Sequence, residues 1–117
     1  MKKTILLVDD DVDLLQAVSE LLRSSGYAVC EHSDSVEALE YFYENQDLMC
    51  IVTDIDMPVM DGISLVAEIQ AIRPDAEALF MTGNFGHSEH ECSQRLLRKP
   101  FTYLELMTAL ERCTAMN

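Results

Sequence analysis

The chain contains 117 residues, of which 49% are hydrophobic and 25% charged, as in ordinary globular proteins and unlike disordered or fibrous chains. We therefore expect one domain over residues 1–117 with one sizeable core. The 21 acidic and 8 basic side chains give a formal charge of −13, which repels phosphate backbones and anionic lipid surfaces. Direct binding to nucleic acid or membrane is not expected.

The amino terminus and the cysteines indicate a cytoplasmic protein. The first apolar run is too short for a signal peptide, and no run approaches the ~20 residues that span a bilayer. The cysteines lack the paired spacing of a metal or disulfide motif, and most of them fall in or beside apolar stretches. We therefore predict a reducing compartment for the four thiols, which are Cys30, Cys50, Cys92 and Cys113.

Short apolar runs alternate with helical periodicity along the chain. Residues 5–8 form an unbroken apolar run, which is typical of a strand buried on both faces of a parallel sheet. Leucines and valines at helical spacing follow, with Asp11 as the expected N-cap and Gly26 at the end. Further strands are predicted at residues 27–30, 49–52, 78–81 and 96–97, and a last helix carries Leu106, Met107, Leu110 and Cys113.

Five alternating β-α units predict an α/β fold in which a doubly wound parallel sheet carries helices on both faces. The helix between the fourth and fifth strands, over about residues 88–94, is expected to be short, because the segment is mostly small and polar. Ligands of such folds gather at the carboxyl ends of the strands. The functional site is therefore expected at that edge of the sheet.

Polar side chains follow the predicted strands at this edge. Asp9 and Asp10 follow the first strand, Asp54 the third, Thr82 the fourth and Lys99 the fifth. Converging carboxylates repel one another unless a cation is bound, and their hard oxygen ligands suit Mg²⁺ or Mn²⁺. A metal, an ammonium, a hydroxyl and one further carboxylate together form a pocket suited to receiving a phosphoryl group.

Four segments of the chain carry a recognisable pattern: residues 8–11 (Val-Asp-Asp-Asp), residues 54–62 (Asp-Ile-Asp-Met-Pro-Val-Met-Asp-Gly), residues 81–83 (Met-Thr-Gly) and residues 99–101 (Lys-Pro-Phe). Together and in this order they resemble the receiver domain of two-component response regulators. The resemblance covers essentially the whole chain and implies a flavodoxin-like, five-stranded sheet with strand order 2-1-3-4-5 and a shortened fourth helix.

The resemblance also implies roles for individual residues. It makes Asp54 the phosphoacceptor and makes a histidine kinase or a histidine phosphotransfer domain the donor, with a downstream protein or fused domain as the output partner. It implies Mg²⁺ or Mn²⁺ held by Asp9, Asp10, Asp54 and the main-chain carbonyl of Asp56, with Thr82 and Lys99 stabilising the phosphoryl group. Asp56 and Asn84 would flank the path of the hydrolytic water and tune the lifetime of the phosphoaspartate.

The chain departs from the receiver pattern in two places. Thr82 and Lys99 are only 17 positions apart (99 − 82), several fewer than in most receivers. Leu96 stands where receivers carry an aromatic switch residue, and Phe85 or Tyr103 would replace it only with a different geometry. Shortened receivers of this style resemble those of hybrid sensor histidine kinases, so the chain is expected to belong to, or to work beside, such a kinase.

Three alternatives remain open on sequence alone. A receiver-like interaction module with an altered output face would keep the fold without the phosphorylation. A haloacid-dehalogenase-type phosphatase would use Asp54 and Asp56 as its Asp-x-Asp pair, although that family places its nucleophile on the first strand. A zinc clip at His87, His90 and Cys92 is a weaker alternative, because no further ligand pair is evident. The favoured interpretation is a signalling domain and not an enzyme, with only slow autodephosphorylation.

Overall fold

The sheet has five parallel strands in the order β2-β1-β3-β4-β5, as predicted. The structure is a computed structural model, and it describes residues 4–83 and 95–114. The predicted helix over residues 88–94 therefore lies outside the described residues. The strands are β1 (Thr4–Val8), β2 (Ala28–His32), β3 (Cys50–Asp54), β4 (Ala78–Thr82) and β5 (Arg95–Arg98).

Three of the helices begin at an aspartate whose side chain accepts hydrogen bonds from backbone N–H groups of the first turn. Asp11 accepts from Leu14 N at 3.2 Å, which confirms the predicted N-cap, and Asp34 and Asp61 act in the same way. Such caps satisfy amides that otherwise have no partner within the helix. The described helices are α1 (Val12–Ser24), α2 (Ser35–Glu44), α3 (Gly62–Ile72) and α4 (Tyr103–Thr114).

Two hydrophobic layers cover the two faces of the sheet. Leu6 and Val8 pack with α2 and α3, whereas Ile5 and Leu7 pack with α1 and α4. Successive side chains of a strand point to opposite faces, so an unbroken apolar run supplies both layers. No helix within residues 4–83 and 95–114 has the length and apolar character needed to cross a bilayer.

Strand β3 extends two residues beyond the apolar run that predicted it. Thr53 and Asp54 belong to the strand, where they pair with Phe80 and Met81 of β4. Thr53 is fully buried, and its hydroxyl donates to the Asp54 carbonyl at 2.9 Å. Asp54 is therefore held by sheet hydrogen bonding at the strand end and not by a loose turn.

Candidate functional site

The strand order brings together the ends of β1, β3, β4 and β5, which carry the predicted functional side chains. Asp9 follows β1, Asp54 ends β3, Thr82 ends β4 and Lys99 follows β5. Asp9 and Thr82 are each 1% exposed and Asp54 is 5% exposed, whereas Asp10 is exposed. Side chains that are far apart in the sequence thus form one pocket at the carboxyl edge.

The three acids of this pocket form a compact group of oxygen donors. Asp9, Asp10 and Asp54 each offer a carboxylate oxygen, and these oxygens lie within 4.8 Å of one another. The Asp9 carboxylate also accepts a hydrogen bond from Asp11 N at 3.0 Å, which fixes its orientation. An all-oxygen, acidic donor set of this kind fits a hard divalent cation such as Mg²⁺.

Lys99 is the cation of the pocket. Its Nζ lies 2.9 Å from Asp9 Oδ2 and 3.2 Å from Asp54 Oδ1. The Lys99 amide donates to the Thr82 carbonyl at 2.8 Å, and the Lys99–Pro100 peptide bond is cis. One ammonium does not neutralise three carboxylates, so the pocket retains negative charge for a metal ion to balance.

The electrostatics of the pocket shift two pKa values. Burial raises the pKa of Asp54 from 3.8 to about 6, and the charges of Asp9 and Asp10 add to this, while Lys99 partly opposes it. Burial alone would lower the pKa of Lys99, but its hydrogen bonds and its attraction to Asp9 and Asp54 raise it. Lys99 therefore stays protonated at neutral pH.

The loop after β3 packs tightly against the strand end. Gly62 N donates to the Ile55 carbonyl at 2.8 Å, and a Cβ on Gly62 would overlap the Asp54 carbonyl oxygen. The Ser35 hydroxyl fastens the same loop by donating to the Met60 carbonyl at 2.7 Å. These contacts support the Asp54 main chain from behind.

A contact between Thr82 and Asp56 was not anticipated from the sequence. The Thr82 hydroxyl donates to Asp56 Oδ2 at 3.2 Å, while the Asp56 side chain is exposed at the rim of the pocket. Two residues from adjacent strand ends are thereby joined. Only the adjacency of β3 and β4 could have indicated this pair, because the residues are 26 positions apart.

The remaining predicted residues are placed elsewhere or are not described. Leu96 is partly buried against the layer of α2 and α3, and the Tyr103 hydroxyl lies 2.9 Å from Ser25 Oγ, just after α1. Within the described residues, the side-chain hydrogen bond of Tyr103 goes to Ser25 and the ion pairs of Lys99 go to Asp9 and Asp54. The residues that lie outside the described ranges are Asn84, Phe85, His87, His90 and Cys92.

The fold and the site place this protein among doubly wound α/β domains with an acidic pocket and a lysine at the carboxyl ends of the strands. A family model described as "Response regulator receiver domain" matches residues 5–111. The chain belongs to the response regulator receiver domain family, the receivers of two-component systems. This family consists of signalling domains and not of classical enzymes, and its members bind Mg²⁺ at the acidic site.

Three similar proteins illustrate the range of this family. The chain is 32% identical to the response regulator receiver protein CpdR of Brucella abortus, over 94% of this chain and 95% of that protein. It is also 32% identical to the sensor kinase CckA of Brucella abortus, over 92% of this chain but only 12% of that protein. TrrA of Thermotoga maritima, solved with Mg(2+)-BeF, has a TM-score of 0.86 and 25% identity, covering 95% of this chain and 98% of that one.

Proposed function

We propose that this chain takes a phosphoryl group from a phosphohistidine onto Asp54. The observation that carries this proposal is the Asp54 carboxylate itself, which is nearly buried, bonded to Lys99 and grouped with two further acids. A carboxylate held beside a fixed ammonium can act as a nucleophile toward a phosphoryl group whose charge that ammonium offsets. The donor would be a histidine kinase or a histidine phosphotransfer domain.

The transfer needs no further nucleophile. An Asp54 carboxylate oxygen forms the new O–P bond as the bond from phosphorus to the donor imidazole nitrogen breaks, and that nitrogen keeps the electron pair. Lys99 would pair with the phosphoryl oxygens, and the contact of its Nζ with Asp54 Oδ1 at 3.2 Å supports this role. Mg²⁺ or Mn²⁺ bound by Asp9, Asp10, Asp54 and the Asp56 carbonyl would neutralise the acidic cluster and the incoming charge.

Thr82 has to change its partner during this reaction. Its hydroxyl has one proton, which it donates to Asp56 Oδ2 in this structure. A phosphoryl oxygen on Asp54 would compete for that proton, so phosphorylation would loosen the contact between Thr82 and Asp56. This exchange couples the state of Asp54 to the end of β4.

Hydrolysis by the chain itself would be slow, and the output would be a changed interaction with a downstream protein or fused domain. The match to part of a sensor kinase supports a place within or beside a hybrid kinase. The match to nearly all of CpdR is equally consistent with a stand-alone receiver. Both arrangements are compatible with the proposed cytoplasmic location.

Labelling with acetyl phosphate tests this function. In the presence of Mg²⁺ the chain should gain the mass of one phosphoryl group, and Asp54→Asn should abolish the gain, because Asn lacks a nucleophilic carboxylate. Asp47→Asn is the matched control, since Asp47 is an exposed acid outside the pocket, and it should label like the wild type. Equal labelling of Asp54→Asn and wild type would refute the assignment. Catalytic turnover of a generic phosphoester by the wild type would also refute it, because that activity is typical of a phosphatase.

Asp56 is expected to shorten the life of the phosphoaspartate. Its carboxylate can orient the attacking water, which accelerates hydrolysis, while its charge repels the phosphoryl group, which retards approach. Since the side chain is exposed and the metal reduces the repulsion, Asp56→Asn should slow the decay of phosphorylated protein by about threefold to tenfold. Unchanged or faster decay, measured beside Asp47→Asn, would contradict this role.

A further inference from the structure

Two buried cysteines meet at the edge of the sheet opposite the acidic pocket. Cys50 begins β3, and Cys113 lies in the last turn of α4. Their Sγ atoms are 3.0 Å apart, and their side chains are 1% and 0% exposed. The residues are 63 positions apart in the chain, so the contact is created entirely by the packing of α4 on the sheet.

We propose that Cys50 and Cys113 are a modification site, at which a hydroperoxide drives formation of a reversible disulfide that ties α4 to β3. This proposal concerns a site separate from the phosphoacceptor. Asp54 lies at the far end of the same strand, so the cross-link would anchor the strand that carries the acceptor without occupying the pocket.

The redox chemistry balances with the peroxide as oxidant. With hydrogen peroxide as the oxidant, the Cys113 thiolate attacks one peroxide oxygen, the O–O bond breaks, and a sulfenic acid forms while the departing hydroxide takes up the proton that the thiol released and leaves as water. The Cys50 thiol then attacks the sulfenic sulfur, a second water leaves, and the disulfide remains. A dithiol reductant reverses the reaction by thiol exchange.

The contacts of the pair assign the two roles. The two Sγ atoms share a hydrogen bond in which either thiol can be the donor. The contact with Cys113 and burial raise the pKa of the Cys50 thiol, whereas the contact with Cys50 lowers the pKa of the Cys113 thiol. Cys113 is therefore the thiol of this pair that forms the reactive thiolate more readily. Because it is one residue from the end of α4, opening of the last helical turn suffices to expose it to peroxide.

Cys30 serves as an internal control. It is half-buried on the opposite face of the sheet, against the layer of α2 and α3, and its Sγ lies 3.4 Å from His32 Nε2. The sheet separates it from the pair, so a disulfide of Cys30 with Cys50 or Cys113 would require unfolding. Among the three described cysteines, greater accessibility alone would make Cys30 the first to be oxidised.

Peptide mapping of the peroxide-treated full chain tests the proposal. We expect a cross-linked Cys50–Cys113 peptide as the main product, a loss of two hydrogens in the intact mass, reversal by dithiothreitol and severalfold slower hydrogen exchange in the last turns of α4. Cys113→Ala should lose the cross-link. A second comparison requires no variant: when the wild type is oxidised after unfolding in guanidinium, mixed cysteine pairings should replace the selective Cys50–Cys113 disulfide. The proposal is overturned if Cys50 and Cys113 both remain alkylatable while Cys30 is oxidised, or if mixed pairings dominate in the native protein.

Discussion

Gly62→Ala should destabilise the protein by about 2–3 kcal/mol and reduce labelling of Asp54. A Cβ at this position would overlap the Asp54 carbonyl oxygen and lie 3.0 Å from the carbonyl carbon and 3.1 Å from Ile55 Cα. These are backbone atoms of the strand end, so they cannot rotate away as a flexible side chain could. Relief requires a displacement of the main chain that carries Asp54, the proposed phosphoacceptor.

Gly83→Ala is the matched control for this substitution. Among residues 4–83 and 95–114, a Cβ at Gly83 has no neighbour within 4 Å, although Gly83 follows Thr82 at the same edge of the sheet. Its free energy of unfolding in urea should change by less than about 1 kcal/mol. If the two alanine variants are equally stable and label equally well, the close approach of Gly62 does not help to position the Asp54 main chain.

Asp54→Asn should make the metal-free protein more stable by about 2–3 kcal/mol at pH 7.5. The pKa of Asp54 is raised from 3.8 to about 6 because the carboxylate is buried and stands beside Asp9 and Asp10. Ionisation of the folded protein is therefore unfavourable, and asparagine removes that cost. Its amide oxygen can still accept a hydrogen bond from Lys99.

The sign of the pH dependence follows from the raised pKa. Between pH 3.8 and about 6 the folded protein binds more protons at Asp54 than the unfolded chain, so the stability of the wild type falls as pH rises through this window. The advantage of Asp54→Asn should be small near pH 4 and complete above about pH 7. Unfolding in EDTA at several pH values, with Asp47→Asn as control, measures this difference.

Magnesium should reduce the stability advantage that Asp54→Asn has over the wild type in EDTA. Millimolar Mg²⁺ is expected to stabilise the wild type by about 1–3 kcal/mol and to stabilise Asp54→Asn and Asp10→Asn less, because each variant lacks one of the three carboxylates that could hold the metal. If Asp54→Asn is less stable than the wild type in EDTA at pH 7.5, the acidic pocket is not strained. Equal stabilisation of all three proteins would place the metal elsewhere.

Local pattern alone predicted most of the architecture. Unbroken apolar runs indicate strands that are buried on both faces, so the ends of β1 and β4 were predicted to within one residue. Apolar residues at helical spacing after Asp11 in the same way predicted α1. Polar residues directly after such runs lie at one sheet edge in any parallel arrangement, so Asp9, Asp54 and Lys99 could be grouped before the distances were known. The end of β3 was missed because Thr53 and Asp54 are polar strand residues.

Only the tertiary structure decided which of these groups touch. The bond from Lys99 to Asp9 spans 90 positions, that from Thr82 to Asp56 spans 26, and both depend on strand order and register. The close approach of Gly62 to Asp54 and the meeting of Cys50 with Cys113 likewise depend on how a loop and a helix pack. Sequence periodicity reports which face of an element is buried, whereas a contact of about 3 Å depends on the relative placement of two elements, which the packing of the whole core determines.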